Sequence, residues 1–238
     1  MTSRELSLQE IDDIISAFGE GTRRAIDAGF DGVELHGAYG YLLQQFLSPY
    51  SNLRTDAWKN RLSFPLAVIE QVRKVVQEHA ASPFLIGYRF TPEEALYPGL
   101  TMADALAFTE ALVNSQVDFI DVLVNNYNST PRAGLDDLSE KRLTLISKKI
   151  AGRTVLLGGG SIYTADDGLV ALQTGVDLIT LGREMIMDPE WVEKIVQGKE
   201  DQIITTMRKG TREELEIPLP FWETIWKAPG WFPGTKMP

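Results

Sequence analysis

The feature that most constrains this chain is a regular alternation of long amphipathic stretches with short, unbroken apolar runs. Residues 8–28 repeat apolar side chains at helical spacing through Ile11, Ile14, Ile15, Phe18, Ala25 and Ile26, and Gly29 supplies a stop. The run from Phe30 to Leu35 follows and ends in His36. Residues 64–80 place Leu66, Val68, Ile69, Val72, Val75 and Val76 on one helical face, and Phe84 to Tyr88 then leads to Arg89. The order continues as helix 102–115 and strand 117–123, helix 138–151 and strand 154–158, then helix 165–174 and strand 177–181, with a last helix over 189–197. Repeated αβ units of this length require parallel strands joined by right-handed crossovers. Strands this uniformly apolar are covered on both faces, by helices on a sheet or by a filled barrel interior.

Polar residues and glycines collect where the strands end: His36, Arg89, Asn125-Asn126, Gly158 to Ser161, and Gly182-Arg183. That rim binds ligands in barrels and doubly wound sheets alike. Five strands do not close a (β/α)8 barrel, and the first element is a helix. With no linker-like tract, residues 1–238 read as a single domain. The segment 218–238 holds five Pro and three Trp. It reads as an irregular arm packed over a surface, too aromatic for disorder.

Charge and composition exclude several function classes. A net charge of −10 argues against nucleic acid or an anionic membrane as partner. The absence of cysteine removes disulfides, thiolate catalysis and Cys-ligated metal centres, and no metal site is expected. No apolar run approaches the roughly 20 residues of a membrane span. Met1 to Glu10 lacks the apolar core of a signal peptide, so the expected location is cytoplasmic and the expected partner a small molecule.

Three groups of residues are candidates for chemistry. His36, Tyr39 and Tyr41 put an imidazole and two phenols within six residues of a strand tip, a donor cluster suited to polarising a carbonyl. They are expected to face one cavity; the alternative is a structural His with packing tyrosines. Gly158-Gly159-Gly160-Ser161 and Gly182-Arg183 follow the last two strands, where barrels commonly bind phosphate. Glycine admits close backbone approach and Arg183 adds a permanent charge; the alternative is tight turns with a surface Arg. Arg89 either contacts an electron-rich ligand or pairs with Glu93 or Glu94. The loop carrying Asn52, Arg54, Asp56 and Asn60-Arg61 reads as a segment pinned by Arg–Asp pairs.

Taken together, these residues resemble the old yellow enzyme family of NADH:flavin oxidoreductases, from about Leu6 onward. The resemblance is carried by the stretch from Ala28 through His36, Tyr39 and Tyr41 to Ser48-Pro49, by the ordered Asn52, Arg54, Asp56 and Asn60-Arg61, and by Asp177 through Gly182-Arg183 to Asp188-Pro189-Glu190-Trp191. It implies a partial (β/α)8 barrel of TIM type with about five βα units, FMN as cofactor and NAD(P)H as electron donor. The reduced flavin would pass hydride to an activated alkene or similar carbonyl-bearing acceptor. In the family pattern His36 and the residue at Tyr39, usually Asn or His, hydrogen-bond the acceptor's carbonyl oxygen, and Tyr41 supplies a proton. Arg89 matches a flavin-ring contact. Gly160, Ser161 (in place of a second Gly), Gly182 and Arg183 match the turns that hold the FMN phosphate. The family has roughly three more βα units in front, so this chain is expected to be the C-terminal part of the barrel. It would associate with the missing N-terminal segment or form a homo-oligomer. Two other readings stand beside this one: a flavin-free, phosphate-binding lyase or isomerase with Glu34 or Asp121 as base, and a non-catalytic barrel fragment.

Overall fold

The computed structural model describes residues 4–235. Helix α1 (Leu8–Asp27) opens in a capping box: the Ser7 hydroxyl accepts from the Glu10 N–H, and the Glu10 carboxylate accepts from the Ser7 N–H. Strand β1 (Gly32–Gly37) leads into a short helix α2 (Leu42–Leu47), then α3 (Ser63–His79) and β2 (Leu85–Phe90). Helix α4 (Met102–Asn114) carries a second box on Thr101 and Asp104, and β3 (Phe119–Leu123) follows. Then come α5 (Arg142–Ile150), β4 (Val155–Gly159) and α6 (Ala165–Leu172), the last with a third box on Thr164 and Asp167. Strand β5 (Leu178–Thr180) is followed by α7 (Arg183–Met187), α8 (Trp191–Val196) and α9 (Leu219–Lys227). Among the described residues, no helix is long and apolar enough to cross a membrane.

The five strands form one parallel sheet in the order β1-β2-β3-β4-β5. Two aspartates fix the register where strands begin. The Asp118 carboxylate accepts from the Ile86 N–H at 2.7 Å while its own N–H donates to the Ile86 carbonyl. Asp177 makes the same pair of bonds with Leu156. The resulting pairing aligns side chains in layers, since residues in register share a face. On the outer face Leu35, Tyr88, Ile120 and Leu156 form one layer, all buried against helices. On the inner face one layer reads Glu34, Gly87, Phe119 and Val155, and the next His36, Arg89, Asp121, Leu157 and Leu178. Apolar side chains on this face stay bare: Leu85 is 49% exposed, Val155 41% and Leu178 56%. Edge strands β1 and β5 and this uncovered inner layer make the sheet a barrel segment of about five βα units.

The structure departs from the sequence reading at helix α2, which that reading did not contain, and in three further places. Helix α5 starts at Arg142, not 138: the Ser139 N–H is taken by the Asp137 carboxylate, Lys141 is extended, and the Arg142 N–H donates to the Ser129 carbonyl. The stretch after Gly182 is already helical in α7. The arm read as irregular over 218–238 contains α9, which opens on Pro218 with Pro220 in its first turn. Proline there presets helical φ and gives up only an N–H that has no intrahelical partner, so a Pro-rich stretch can start a helix. Residues 236–238 of that arm lie outside the described residues.

The core under the outer face is organised around Phe108 of α4, fully buried between Tyr88 and Phe90 with edge-on contacts at 5.3 and 5.5 Å between ring centroids. Phe108→Ala should cost about 3–5 kcal/mol in urea denaturation. Truncating the mostly exposed Phe30 should cost no more than about 0.5 kcal/mol. A comparable loss at both positions would contradict this packing.

Candidate active site

The inner layer of β1–β3 is a charged row. Arg89 lies within β2, and its guanidinium meets the Asp121 carboxylate at 2.5 Å and Glu34 at 3.2 Å. Asp121 is only 2% exposed and sits mid-sheet. Burial alone would lower the Arg89 pKa; the hydrogen bond and charge of Asp121, then Glu34 and Tyr39, outweigh it and raise it. Burial raises Glu34 above the usual carboxylate range; Arg89 opposes the shift and Asp121 adds to it. The expected alternative partners of Arg89 are engaged elsewhere. Glu93 pairs with Arg142, and Glu94 accepts from Gln44 at 2.7 Å and Ser48 at 2.5 Å. The true partners lie on neighbouring strands, at cross-strand positions that spacing along the chain does not reveal.

His36 occupies the same layer, directly beside Arg89. Burial first, then the positive charge of Arg89, lowers its pKa, which favours the neutral imidazole. The turn after β1 brings both phenols to it: ring centroids are 5.8 Å from His36 to Tyr39 and 5.7 Å to Tyr41. Tyr39 has φ 55°, in the left-handed region that non-glycine residues rarely enter. The turn is held there by the Gly40 N–H donating to Gln44 Oε1 at 2.9 Å and Gln45 Nε2 donating to the Gly40 carbonyl at 2.7 Å. Both phenols are mostly exposed. The three residues therefore cluster at the rim without lining a common enclosed cavity. A cleft of about 620 Å³ borders the turn through Gly40 and Leu42 and continues past Phe46, Tyr50 and Leu53, away from His36, Arg89 and Arg183.

At the tips of β3–β5 one chain of hydrogen bonds joins three loops. Arg183 Nη2 donates to Ser161 Oγ at 3.1 Å, and Ser161 Oγ donates to the Asn125 carbonyl at 2.7 Å. The guanidinium also lies 5.6 Å from the Tyr163 ring centroid and donates to the Trp231 carbonyl at 2.8 Å. Thus Ser161 and Arg183, 22 residues apart, are brought together. Among the described residues, the main-chain N–H groups of Ser161, Gly182 and Arg183 donate to no acceptor. A Cβ placed on Gly182 would meet no atom within 4 Å. The space in front of this turn is open, with unpaired donors and a fixed cation at its border.

The loop after α2 behaves as its Arg and Asp residues indicate. Arg54 pairs with Asp56 at 2.5 Å and Arg61 with Asp104 at 2.6 Å, while Asn52 Nδ2 donates to the Phe46 and Trp58 carbonyls. These side chains order the loop, and none of them reaches the charged row by a hydrogen bond or ion pair.

Comparison with known proteins agrees with this layout. The family model described as "NADH:flavin oxidoreductase / NADH oxidase family" matches residues 1–202. The chain is 43% identical over 235 residues to "Probable NADH-dependent flavin oxidoreductase YqiG" of Bacillus subtilis (strain 168), covering 97% of this chain and 63% of that protein. It is 40% identical over 229 residues to "NADH:fumarate oxidoreductase" of Klebsiella pneumoniae (strain 342), covering 92% of this chain and 24% of the relative. Among solved structures it superposes on morphinone reductase in complex with tetrahydroNAD with a TM-score of 0.65 at 26% identity, covering 84% of this chain and 52% of the other. The chain thus spans less than two thirds of the length of each.

Glu184, adjacent to Arg183, was not singled out by the sequence; only its place after the Gly-Arg turn could have drawn attention to it. It is 1% exposed, and neither carboxyl oxygen has a hydrogen-bond partner among the described residues. Burial, reinforced by Asp188 and Asp167 and opposed by Lys194, pushes its pKa up to about 8. The nearby Asp188 is paired with Lys194 at 2.6 Å, which leaves Glu184 no counter-ion. At neutral pH the side chain is the uncharged acid. Its folded pKa is raised, so its contribution to stability is complete below about pH 4.5 and is lost as pH rises through about 8. Within that window the slope is at most about 1.4 kcal/mol per pH unit. Glu184→Gln, which cannot ionise, should match the wild type in thermal melts at pH 4 and melt higher at pH 8–9. An equal difference at both pH values would rule out a buried neutral acid.

Proposed function

Because this chain belongs to the NADH:flavin oxidoreductase / NADH oxidase family, we propose that its protein is an FMN-dependent oxidoreductase that takes hydride from NAD(P)H and reduces an activated alkene or similar carbonyl-bearing acceptor. The single observation that most supports this is the Arg183–Ser161–Asn125 chain beside the open Gly182 turn. The cradle fits a phosphate monoester: three unpaired N–H groups and a guanidinium border a space that any side chain on Gly182 would fill. Gly160, Ser161, Gly182 and Arg183 would hold the phosphate. Arg89, steadied by Asp121 and Glu34, would face the electron-rich edge of the ring. Bound FMN supplies the redox chemistry, accepting and donating hydride.

The remaining work falls to the donor cluster. The neutral His36 imidazole donates one hydrogen bond to the acceptor's carbonyl oxygen and so stabilises negative charge that develops there. The Tyr39 phenol, in place of the usual amide or imidazole, adds a second donor from the left-handed turn. Tyr41 supplies the proton that, with the hydride, completes addition across the alkene. The lyase or isomerase reading needs a free base at a strand tip. Both candidates, Glu34 and Asp121, face Arg89 instead, which favours the flavin reading. The bare inner layer and the two edge strands support completion of the barrel by further βα units, on the same protein or on a second copy, because unpaired edges and apolar faces seldom remain open.

Protein purified in its native assembly should be yellow and release FMN on denaturation; a colourless preparation that takes up no FMN would remove the proposal. Arg183→Ala should weaken FMN binding by about 1–3 kcal/mol, the scale of a charge-assisted hydrogen bond. His36→Ala should slow transfer from reduced flavin to the acceptor more than flavin reduction by NAD(P)H in stopped-flow measurements. Equal slowing of the two half-reactions would make His36 merely structural.

A further inference from the structure

The family model ends at residue 202, yet the residues beyond it return to the Arg183 turn. Met207, Ile217, Ile225 and Phe232 form a small second core around Met187 of α7, with Tyr163, Ile186 and Phe221 packed against it. Phe232 is fully buried. The turn around it is closed by its own hydrogen bonds. Thr235 donates to the Phe232 carbonyl through both its N–H and its hydroxyl, the Gly230 N–H donates to Thr235 Oγ1, and the Met207 N–H donates to the Pro233 carbonyl at 2.8 Å. This rigid turn aims the Trp231 carbonyl at Arg183 Nη1, 2.8 Å away. The guanidinium is therefore fixed on three sides, by the Trp231 carbonyl, Ser161 Oγ and the Tyr163 ring. A guanidinium has five N–H donors, so two hydrogen bonds to protein leave donors free for an anion.

We infer that the C-terminal arm belongs to the cofactor site: through the Trp231 carbonyl, anchored by Phe232, it is a positioning element that holds the Arg183 guanidinium ready for the phosphate end of the flavin nucleotide. The inference rests on the flavin reading above. Without the arm, Arg183 would have to lose its side-chain freedom at the moment of binding; with it, that ordering is complete beforehand. The arm acts on the phosphate and not on the ring, so its loss affects FMN and leaves riboflavin, which lacks the phosphate, unaffected.

The test titrates FMN and riboflavin into apoprotein of the native assembly, following quenching of flavin fluorescence, with circular dichroism as a check on folding. Phe232→Ala removes the anchor while leaving every phosphate-contacting residue in place. It should raise the Kd for FMN about tenfold and change that for riboflavin by less than about twofold. In an Arg183→Ala background the same substitution should have almost no further effect on FMN, because both act through one guanidinium. If Phe232→Ala fails to fold, Phe232→Leu carries the same comparison with a smaller shift in the same direction. Equal losses for FMN and riboflavin, or full additivity with Arg183→Ala, would overturn the positioning role. FMN binding that Arg183→Ala weakens and Phe232→Ala leaves intact would sink the arm alone. No flavin binding by the wild type would sink the flavin reading and the arm's role with it.

Discussion

The inner face of the sheet depends on Arg89 standing between Asp121 and Glu34. Asp121 lies mid-sheet and almost wholly buried, where an unpaired carboxylate would cost several kcal/mol. The in-register alignment of His36, Arg89 and Asp121 supplies the counter-charge. That alignment is in turn held by Asp118, which ties β3 to the start of β2. A barrel interior is ordinarily filled by layers of branched aliphatic side chains. Here β1–β3 contribute imidazole, guanidinium and carboxylate to the layer, and only β4 and β5 contribute Leu157 and Leu178. A charged layer of this kind cannot close on itself as a dry core. It leaves a polar floor under the rim, the place a ligand with its own polar edge would occupy.

What the sequence made legible follows from the range of each physical signal. Strands and helices answer to local periodicity, so the five apolar runs and the helices before them appear in the structure within a few residues of their expected bounds. For Arg89 the sequence left two readings open, a ligand contact or an ion pair with Glu93 or Glu94, four or five positions on. The observed partners, Asp121 and Glu34, are 32 and 55 residues distant along the chain, and strand register brings them together. Helix α9 was hidden for a different reason. Its prolines count as breakers in a window average but as starters in the first turn. The donor cluster was legible as a cluster, since three residues within six of each other stay close in any turn. That Tyr39 reaches it through a positive φ was not, because such a conformation is imposed by tertiary hydrogen bonds and not by residue type.

Two local features run against stability, and both adjoin the candidate site. Tyr39 in a left-handed turn costs about 1 kcal/mol or more relative to glycine at the same position. Glu184 buries a carboxyl with no partner one residue from Arg183. The charges that act on Glu184 are those of Asp188, Lys194 and Asp167; burial and the two aspartates together favour its neutral form, so the packed side of α7 carries no further negative charge.

The glycines at the strand tips separate into two kinds, and the distinction bears on what the turns are for. A Cβ on Gly159 would lie 2.1 Å from the Thr180 carbonyl oxygen, and one on Gly160 would lie 2.1 Å from the Val124 carbonyl oxygen, with φ at +119° besides. Both are glycine because the neighbouring strands approach too closely for anything larger; their smallness is consumed by the fold. Gly182 is different: a Cβ there would touch nothing, and its backbone, at φ −126° and ψ −82°, lies outside the broad regions that L side chains favour. Packing does not demand glycine at that position, but its backbone conformation favours one. The missing side chain also leaves a space free, beside an arginine held by Ser161 and the Trp231 carbonyl. Gly159 and Gly160 therefore close their turn against a neighbouring strand or loop, whereas Gly182 leaves its turn open.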